Sequence, residues 1–169
     1  QSIFIGLGGT FAPWVGALIK DIKQPILLVV PEGKAKETIT RLSRVGFDNV
    51  LGYLNGGFDA WVASEKEIDT IESVSAEVLE QKISEDALVF DVRKPGEYAA
   101  EHFLNDHISK FPTNNHFYVH CAGGYRSVIT ASILKARGFN KVIDVAGGYA
   151  AIRETGIKRT DVITCSSSK

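Results

Sequence analysis

Methionine is absent from these 169 residues and the first residue is glutamine, so the chain as printed is expected to be a piece of something longer. Cysteine is scarce: Cys121 and Cys165 are the only two, far apart and without a CxxC pair. This argues against a disulfide framework and against a zinc site, and it fits a reducing, cytoplasmic setting. No apolar run has the length of a membrane span, and the first residues lack the charged region and cleavage site of a signal peptide. Nor does either sign of charge prevail. With 19 basic residues against 20 acidic ones, the chain has no electrostatic footprint for nucleic acid or anionic membrane. What remains is a soluble protein whose 44% hydrophobic content can bury a core, as one domain or as two small ones.

The chain resembles itself. "ITRLSRVGFDNVLGYLNGGFDAW" (Ile39–Trp61) aligns with "ASILKARGFNKVIDVAGGYAAI" (Ala131–Ile152), setting Leu42 on Leu134, Gly46 on Gly138, Val50 on Val142, and Gly56-Gly57-Phe58 on Gly147-Gly148-Tyr149. An apolar run of strand length precedes each copy, Pro25–Val30 and His116–His120; a loop, a helix closed by Gly46 or Gly138, and a second strand follow. Strands alternating with helices predict an α/β fold, a parallel sheet flanked by helices. Between the copies, Ser64–Thr70 is the expected linker, Ser75 caps a helix through Ile83, and Ala87–Val92 is a buried strand opening the second copy. Residues 1–68 thus form a partial first copy, 72–162 a fuller second one, and 163–169 a polar tail. The first copy has no matching opening strand, so its sheet is expected to be incomplete or to be completed by another part of the molecule.

"FYVHCAGGYRS" (Phe117–Ser127) puts Cys121 directly after a strand. Free cysteines usually pack, but three features here favour a thiolate. Ligands of open α/β sheets bind beyond the carboxyl ends of strands. Ala122, Gly123 and Gly124 have side chains small enough for their amides to converge on one centre. Ser127–Arg137 reads as a helix whose N-terminus points at that centre. Such surroundings lower a cysteine pKa and make its sulfur nucleophilic.

In their order and spacing, "VFDVRKPGEYAAEH", "VHCAGGYRS" and "VIDVAGGYAAI" resemble the signature of the rhodanese family, over roughly Ser75–Gly156. The resemblance implies that Cys121 accepts a sulfane sulfur from a small persulfide or thiosulfate, becomes a persulfide, and passes the sulfur to a nucleophile. It implies that the amides of Ala122, Gly123, Gly124, Tyr125 and Ser127 stabilise the terminal sulfur. Tyr125 is expected to line the pocket mouth. Arg126 matches the family's loop arginine and either binds the anionic substrate or braces the loop through carbonyls and Asp91. Asp91 and Arg93 are read as a supporting ion pair at a strand end, Glu97 and His102 as scaffold, and His120 as structural because strand alternation turns it from the loop. "GLGGTFAPWVGALI" and the tandem arrangement are similar to the C-terminal region of bacterial proteins that join a metallo-β-lactamase-fold hydrolase to rhodanese repeats, a kind associated with persulfide oxidation. That likeness implies an N-terminal hydrolase domain in the full-length chain. Its His-rich metal motif is absent from these residues, so no metal or other cofactor is assigned.

In the first copy, Pro31 aligns with Cys121, and Val29–Gly46 is two residues shorter than Val119–Gly138. Proline is neither nucleophile nor amide donor, so that copy is expected to be catalytically silent. The segment "EHFLNDHISKF" is short for the family, either because the loop is deleted or because residues are missing between Phe103 and Leu104. Ala122 stands where thiosulfate-using members often have arginine, which favours a thiol persulfide such as that of glutathione. Two rivals remain: a docking module without chemistry, and a cysteine-dependent phosphatase. The latter places five residues between cysteine and arginine, where this chain has four, Ala122 to Tyr125. Cys165 is expected to be an exposed thiol without a role.

Overall fold

The computed structural model describes residues 2–93 and 108–158. Short runs of branched and aromatic residues alternate with helices along the described residues. The first half runs α1 (Phe11–Leu18), β1 (Ile26–Leu28), α2 (Ala35–Ser43), β2 (Val50–Tyr53) and α3 (Gly57–Ala63). The second runs β3 (Glu72–Val74), α4 (Ala76–Ile83), β4 (Leu88–Asp91), a 3-10 turn at Ile108–Lys110, β5 (Phe117–His120), α5 (Tyr125–Ala136), β6 (Val142–Val145) and α6 (Gly148–Ile152). β1 and β2 form a parallel pair; the other strands form a four-stranded parallel sheet in the order β3-β6-β5-β4. This is the α/β architecture, parallel sheets flanked by helices, that the alternation predicts.

Strand alternation sorts the core of the larger sheet. Phe117, Val119 and Val142 face α5 and pack with Ile129, Ile133 and Leu134, together with Trp14 and Phe111. Tyr118, Ile143 and Val145 face the other way, onto Ala76 and Leu79 of α4 and Ile152 of α6. Each fully buried large side chain contributes about 1.5–3 kcal/mol, so the inner strands β5 and β6, buried on both faces, dominate the stability of this sheet. A third cluster, Phe11, Val15, Leu42 and Phe47, holds α1 and α2 together under β1 and β2. Helix α1 therefore serves both cores: Trp14 enters one, and Phe11 and Val15 the other.

The helix stops follow the sequence closely. Gly46 and Gly138 have φ of +88° and +93°. Their N–H groups donate to Ser43 and Lys135, and the N–H groups of Phe47 and Phe139 reach back to Leu42 and Leu134, the paired bonds of a glycine C-terminal motif. The Ser75 hydroxyl accepts from the Val78 N–H at 3.4 Å, as expected of an N-cap. Helix α5 starts at Tyr125, two residues before the expected Ser127, because Gly124 takes the left-handed conformation and caps it. Neither the three-residue edge strand β3 nor α1 is announced by its own residues. The expected linker, 64–70, contains no strand or helix, but its end is fastened to α5: Lys135 Nζ donates to Asp69 at 2.8 Å and to the Thr70 carbonyl at 2.6 Å.

Strand register corrects one alignment. Ile26 pairs with Val50 as Phe117 pairs with Val142, and the N–H groups of Ile26 and Phe117 donate to the equivalent carbonyls of Asn49 and Lys141. Counting from these anchors, Val30 occupies the position of Cys121, and Pro31 that of Ala122. Two glycines agree: a Cβ on Gly57 would lie 2.5 Å from the Val30 carbonyl oxygen, and one on Gly148 would lie 2.3 Å from that of Cys121. Pro31 is thus displaced by one residue from the expected place, and the segment up to Gly46 is shorter by one residue rather than two. The expectations for Glu97, His102, the Phe103–Leu104 junction, Cys165 and the tail lie outside the described residues.

Candidate functional site

Cys121 leaves the carboxyl end of β5 and is buried, 1% exposed. The chain turns at once through Ala122, Gly123 and Gly124 into α5, a helix of 12 residues whose first amides face the sulfur. Gly124 N–H donates to Cys121 Sγ at 3.2 Å, and the Ser127 hydroxyl reaches it at 3.6 Å while also bonding the Gly124 carbonyl at 3.1 Å. Burial by itself pushes the thiol up. The Ser127 amide and hydroxyl, with the amides of Gly123 and Gly124, outweigh it and hold Cys121 below its ordinary value. A Cβ on Gly123 would meet nothing within 4 Å, so the loop borders open space at that residue.

The loop is held from behind by α6. The N–H groups of Tyr149 and Ala150 donate to the carbonyls of Cys121 and Ala122 at 2.6 and 3.0 Å. This turns those carbonyls away from the sulfur and leaves amides toward it, the polarity a thiolate or persulfide requires. Only glycine fits at position 148, given the approach of the Cys121 carbonyl and a φ of +55°.

Asp91 and Arg93 form the ion pair expected at the strand end. Arg93 Nε bonds both carboxylate oxygens at 2.8–2.9 Å, and Nη2 reaches Oδ2 at 2.6 Å. The same guanidinium lies 3.7 Å from the centre of the Tyr149 ring. Burial raises the Asp91 carboxyl, but the side-chain and backbone hydrogen bonds of Arg93 and the neighbouring His120 bring it below the usual range. His120 points from the loop as alternation requires, into the α4–α6 side, and stacks against Tyr149 with ring centres 6.5 Å apart. It is nonetheless not remote: Nδ1 lies 3.5 Å from the Cys121 carbonyl and 4.0 Å from Asp91. Burial lowers its pKa, against the opposing pull of Asp91, so it is neutral near pH 7.

Arg126 sits half-buried in the first turn of α5. Among the described residues the partner of Asp91 is Arg93 and not Arg126, which removes that element of the bracing role. Tyr125, expected at the pocket mouth, directs its hydroxyl to the Gly6 carbonyl at 2.7 Å. Sequence reasoning missed Tyr149 and Gly148 as supports of the loop. The repeated Gly-Gly-aromatic triplet was the available signal, but its spacing alone does not say what the glycine admits. Among the described residues no group of three or more His, Cys, Asp or Glu side chains is placed to hold a metal ion. Among them, too, no helix is long and apolar enough to cross a membrane.

Residues 103–155 match the Rhodanese-like domain family. The chain is 25% identical over 99 residues to a sulfurtransferase of Allochromatium vinosum, covering 52% of this chain and 92% of that protein. It is 29% identical over 97 residues to YrkF of Bacillus subtilis, described as a candidate sulfur carrier protein, covering 50% of this chain and 52% of that one. The match therefore spans about half the length of that relative. Among solved structures, a rhodanese-like domain protein of Staphylococcus aureus aligns at 26% identity with a TM-score of 0.45, over 54% of this chain and 100% of that one. Residues 103–155, which include Cys121, thus match a rhodanese-like domain, and the chain has a sulfurtransferase among its relatives.

Proposed function

We propose that this chain is a sulfurtransferase that carries sulfane sulfur on Cys121. The observation that bears most weight is the cradle of donors, Gly124 N–H and the Ser127 hydroxyl, on a sulfur at the N-terminus of α5. The Cys121 thiolate attacks the outer sulfur of a donor persulfide, RSS⁻; the donor S–S bond breaks, RS⁻ leaves, and a Cys121 persulfide forms. An acceptor thiolate then attacks the terminal sulfur, takes it away as a new persulfide, and restores the Cys121 thiolate. Each step exchanges one S–S bond for another, so no external oxidant is needed. The amides that hold the thiolate also hold the charged outer sulfur. Arg126, beside this centre, binds the anionic donor. With thiosulfate the leaving group is sulfite, and Ala122 in the loop favours a thiol persulfide over it.

In this reading the β1–α2–β2–α3 and β5–α5–β6–α6 segments are copies of one unit, and the first is silent. Val30 stands at the cysteine position, and the corresponding cleft of about 340 Å³ is lined by Val30, Pro31, Glu32, Lys36, Tyr53 and Asn55 among others, with no cysteine. A reducing, cytoplasmic setting and an adjoining metallo-β-lactamase-fold hydrolase domain belong to the same proposal, on the scarcity of cysteine and the likeness of the segment at residues 6–19. The test is a paired assay on one preparation. Sulfur transfer from glutathione persulfide and from thiosulfate is measured beside hydrolysis of an aryl phosphate, for the parent and for Cys121→Ser. Transfer that Cys121→Ser abolishes is expected. Phosphatase turnover that exceeds transfer and depends on Cys121 would replace this reading with the phosphatase one.

A further inference from the structure

Among the described residues, no main-chain N–H of residues 5–9 donates to a main-chain carbonyl. Side chains therefore place this segment. Leu7 packs against the core shared by α1 and α2, and Arg41 of α2 donates through Nη1 to the Leu7 carbonyl. One residue earlier, the Gly6 carbonyl accepts from the Tyr125 hydroxyl, and the Tyr125 ring leaves no room for a Cβ on Gly6. Consecutive carbonyls are thus held by different elements, one by α5 and the next by α2. Arg41 is itself fixed: its guanidinium lies 5.0 Å from the centre of the Phe11 ring and 3.7 Å from a Glu37 carboxylate oxygen.

Tyr125 opens α5, and Arg126 follows it. Further along, the helix is set by the core, since Ile129, Ala131, Ile133 and Leu134 are buried. The loop before it is held by α6 through the carbonyls of Cys121 and Ala122. Neither contact fixes the side of the first turn that carries Tyr125 and Arg126. We propose that Arg41, in the half without a cysteine, is a positioning residue for the sulfur site of the other half. Through Leu7, Gly6 and Tyr125 it sets the first turn of α5, from which Arg126 meets the anionic donor. This rests on the reading of Arg126 as the donor-binding residue. Breaking the link leaves the bonds of Gly124 and Ser127 to the sulfur in place, so it weakens donor binding and spares the nucleophile.

The experiment follows single-turnover sulfur loading of Cys121 from glutathione persulfide in the parent, Arg41→Met, Tyr125→Phe and the double variant. Methionine keeps a packed stem and removes the guanidinium, and phenylalanine keeps the ring. The half-saturating donor concentration should rise about threefold or more in each single variant. The loading rate at saturation and the alkylation midpoint of Cys121 should stay as in the parent. Because both residues act through one link, the double variant should be no weaker than the weaker single one. Arg44→Ala, which removes an exposed charge at the end of the same helix, should match the parent and so separates positioning from long-range attraction of the anion. Hydrogen exchange of the Val128 and Ile129 amides, which close the first turn of α5, should quicken in both single variants. A parent that takes up no sulfur would defeat the sulfurtransferase reading, and the exchange comparison would still decide this one. Unchanged half-saturation or unchanged exchange in a folded single variant would overturn the inference. So would additive losses in the double variant, or a rise with Arg44→Ala equal to that with Arg41→Met.

Discussion

The hydroxyl of Tyr125 donates to the carbonyl of Gly6, 2.7 Å away, and ties the first residue of α5 to the segment that enters α1. The ring lies so close that a Cβ on Gly6 would fall 2.7 Å from it. Nearby, Phe4 N–H donates to the Ser132 hydroxyl at 2.7 Å, and Trp14 is buried in the same core as Ile129 and Ile133. The N-terminal segment is thus packed on the helix that presents its amides to Cys121, and Arg41 holds it from the other side through the Leu7 carbonyl.

Tyr125→Phe removes that hydrogen bond and keeps the ring. We expect a loss of about 0.5–1.5 kcal/mol in chemical denaturation, the net worth of one such bond, with faster proteolysis around residues 6–9. The alkylation midpoint of Cys121 should not move, because the Tyr125 hydroxyl does not touch the sulfur.

Ser127→Ala removes a donor to Cys121 Sγ and leaves the amide. The midpoint of Cys121 alkylation should rise toward the free-thiol value of about 8.5. The folded thiol is held below its unfolded value, so the unfolded chain binds more protons between the two. Stability therefore rises with pH across that window, is fully present above the unfolded value, and is lost as pH falls through the folded one. Denaturation measured across pH should show the rise in the parent, a smaller one in Ser127→Ala, and none from this source in Cys121→Ser.

Gly148→Ala and Gly57→Ala form a matched pair. Each places a Cβ against a backbone carbonyl, that of Cys121 or that of Val30, at a residue with positive φ. The left-handed conformation alone costs roughly 1–2 kcal/mol for a residue with a side chain. Both should destabilise the chain, but only Gly148→Ala should slow persulfide formation by distorting the loop. Single-turnover sulfur loading of the two variants, compared under conditions where both are folded, decides this.

Arg93→Ala leaves Asp91 without its bidentate partner and Tyr149 without its stacked cation. The Asp91 carboxyl should titrate higher by NMR. Its lowered pKa contributes stability that is present above the ordinary carboxylate value of about 3.9 and lost as pH falls through the folded one. The acid side of the stability profile should therefore flatten in the variant. An unchanged Asp91 titration would mean that another group holds the carboxylate.

Much of this arrangement could be read before the structure. Gly46 and Gly138 announced helix ends because a helix closed by a left-handed residue has few other choices. "HCAGGYRS" announced a cysteine under convergent amides because three small residues between strand and helix leave little else to face it. The rest depended on long-range contacts. β3 is three residues long and exists by pairing with β6, and nothing local in Glu72–Val74 demands a strand. α1 carries no capping side chain and owes its place to Phe11, Trp14 and Val15 entering two different cores. Pro31 was misplaced by one residue because sequence spacing alone could not locate the shortening of the loop, which the pairing of Ile26 with Val50 fixes.

Mass spectrometry of the chain after incubation with glutathione persulfide tests the central claim most directly. The account predicts a gain of one sulfur atom on the peptide that contains Cys121, lost again on adding an acceptor thiol and absent in Cys121→Ser. A Cys121 peptide that gains no sulfur, while the donor remains intact and the chain folded, would contradict it.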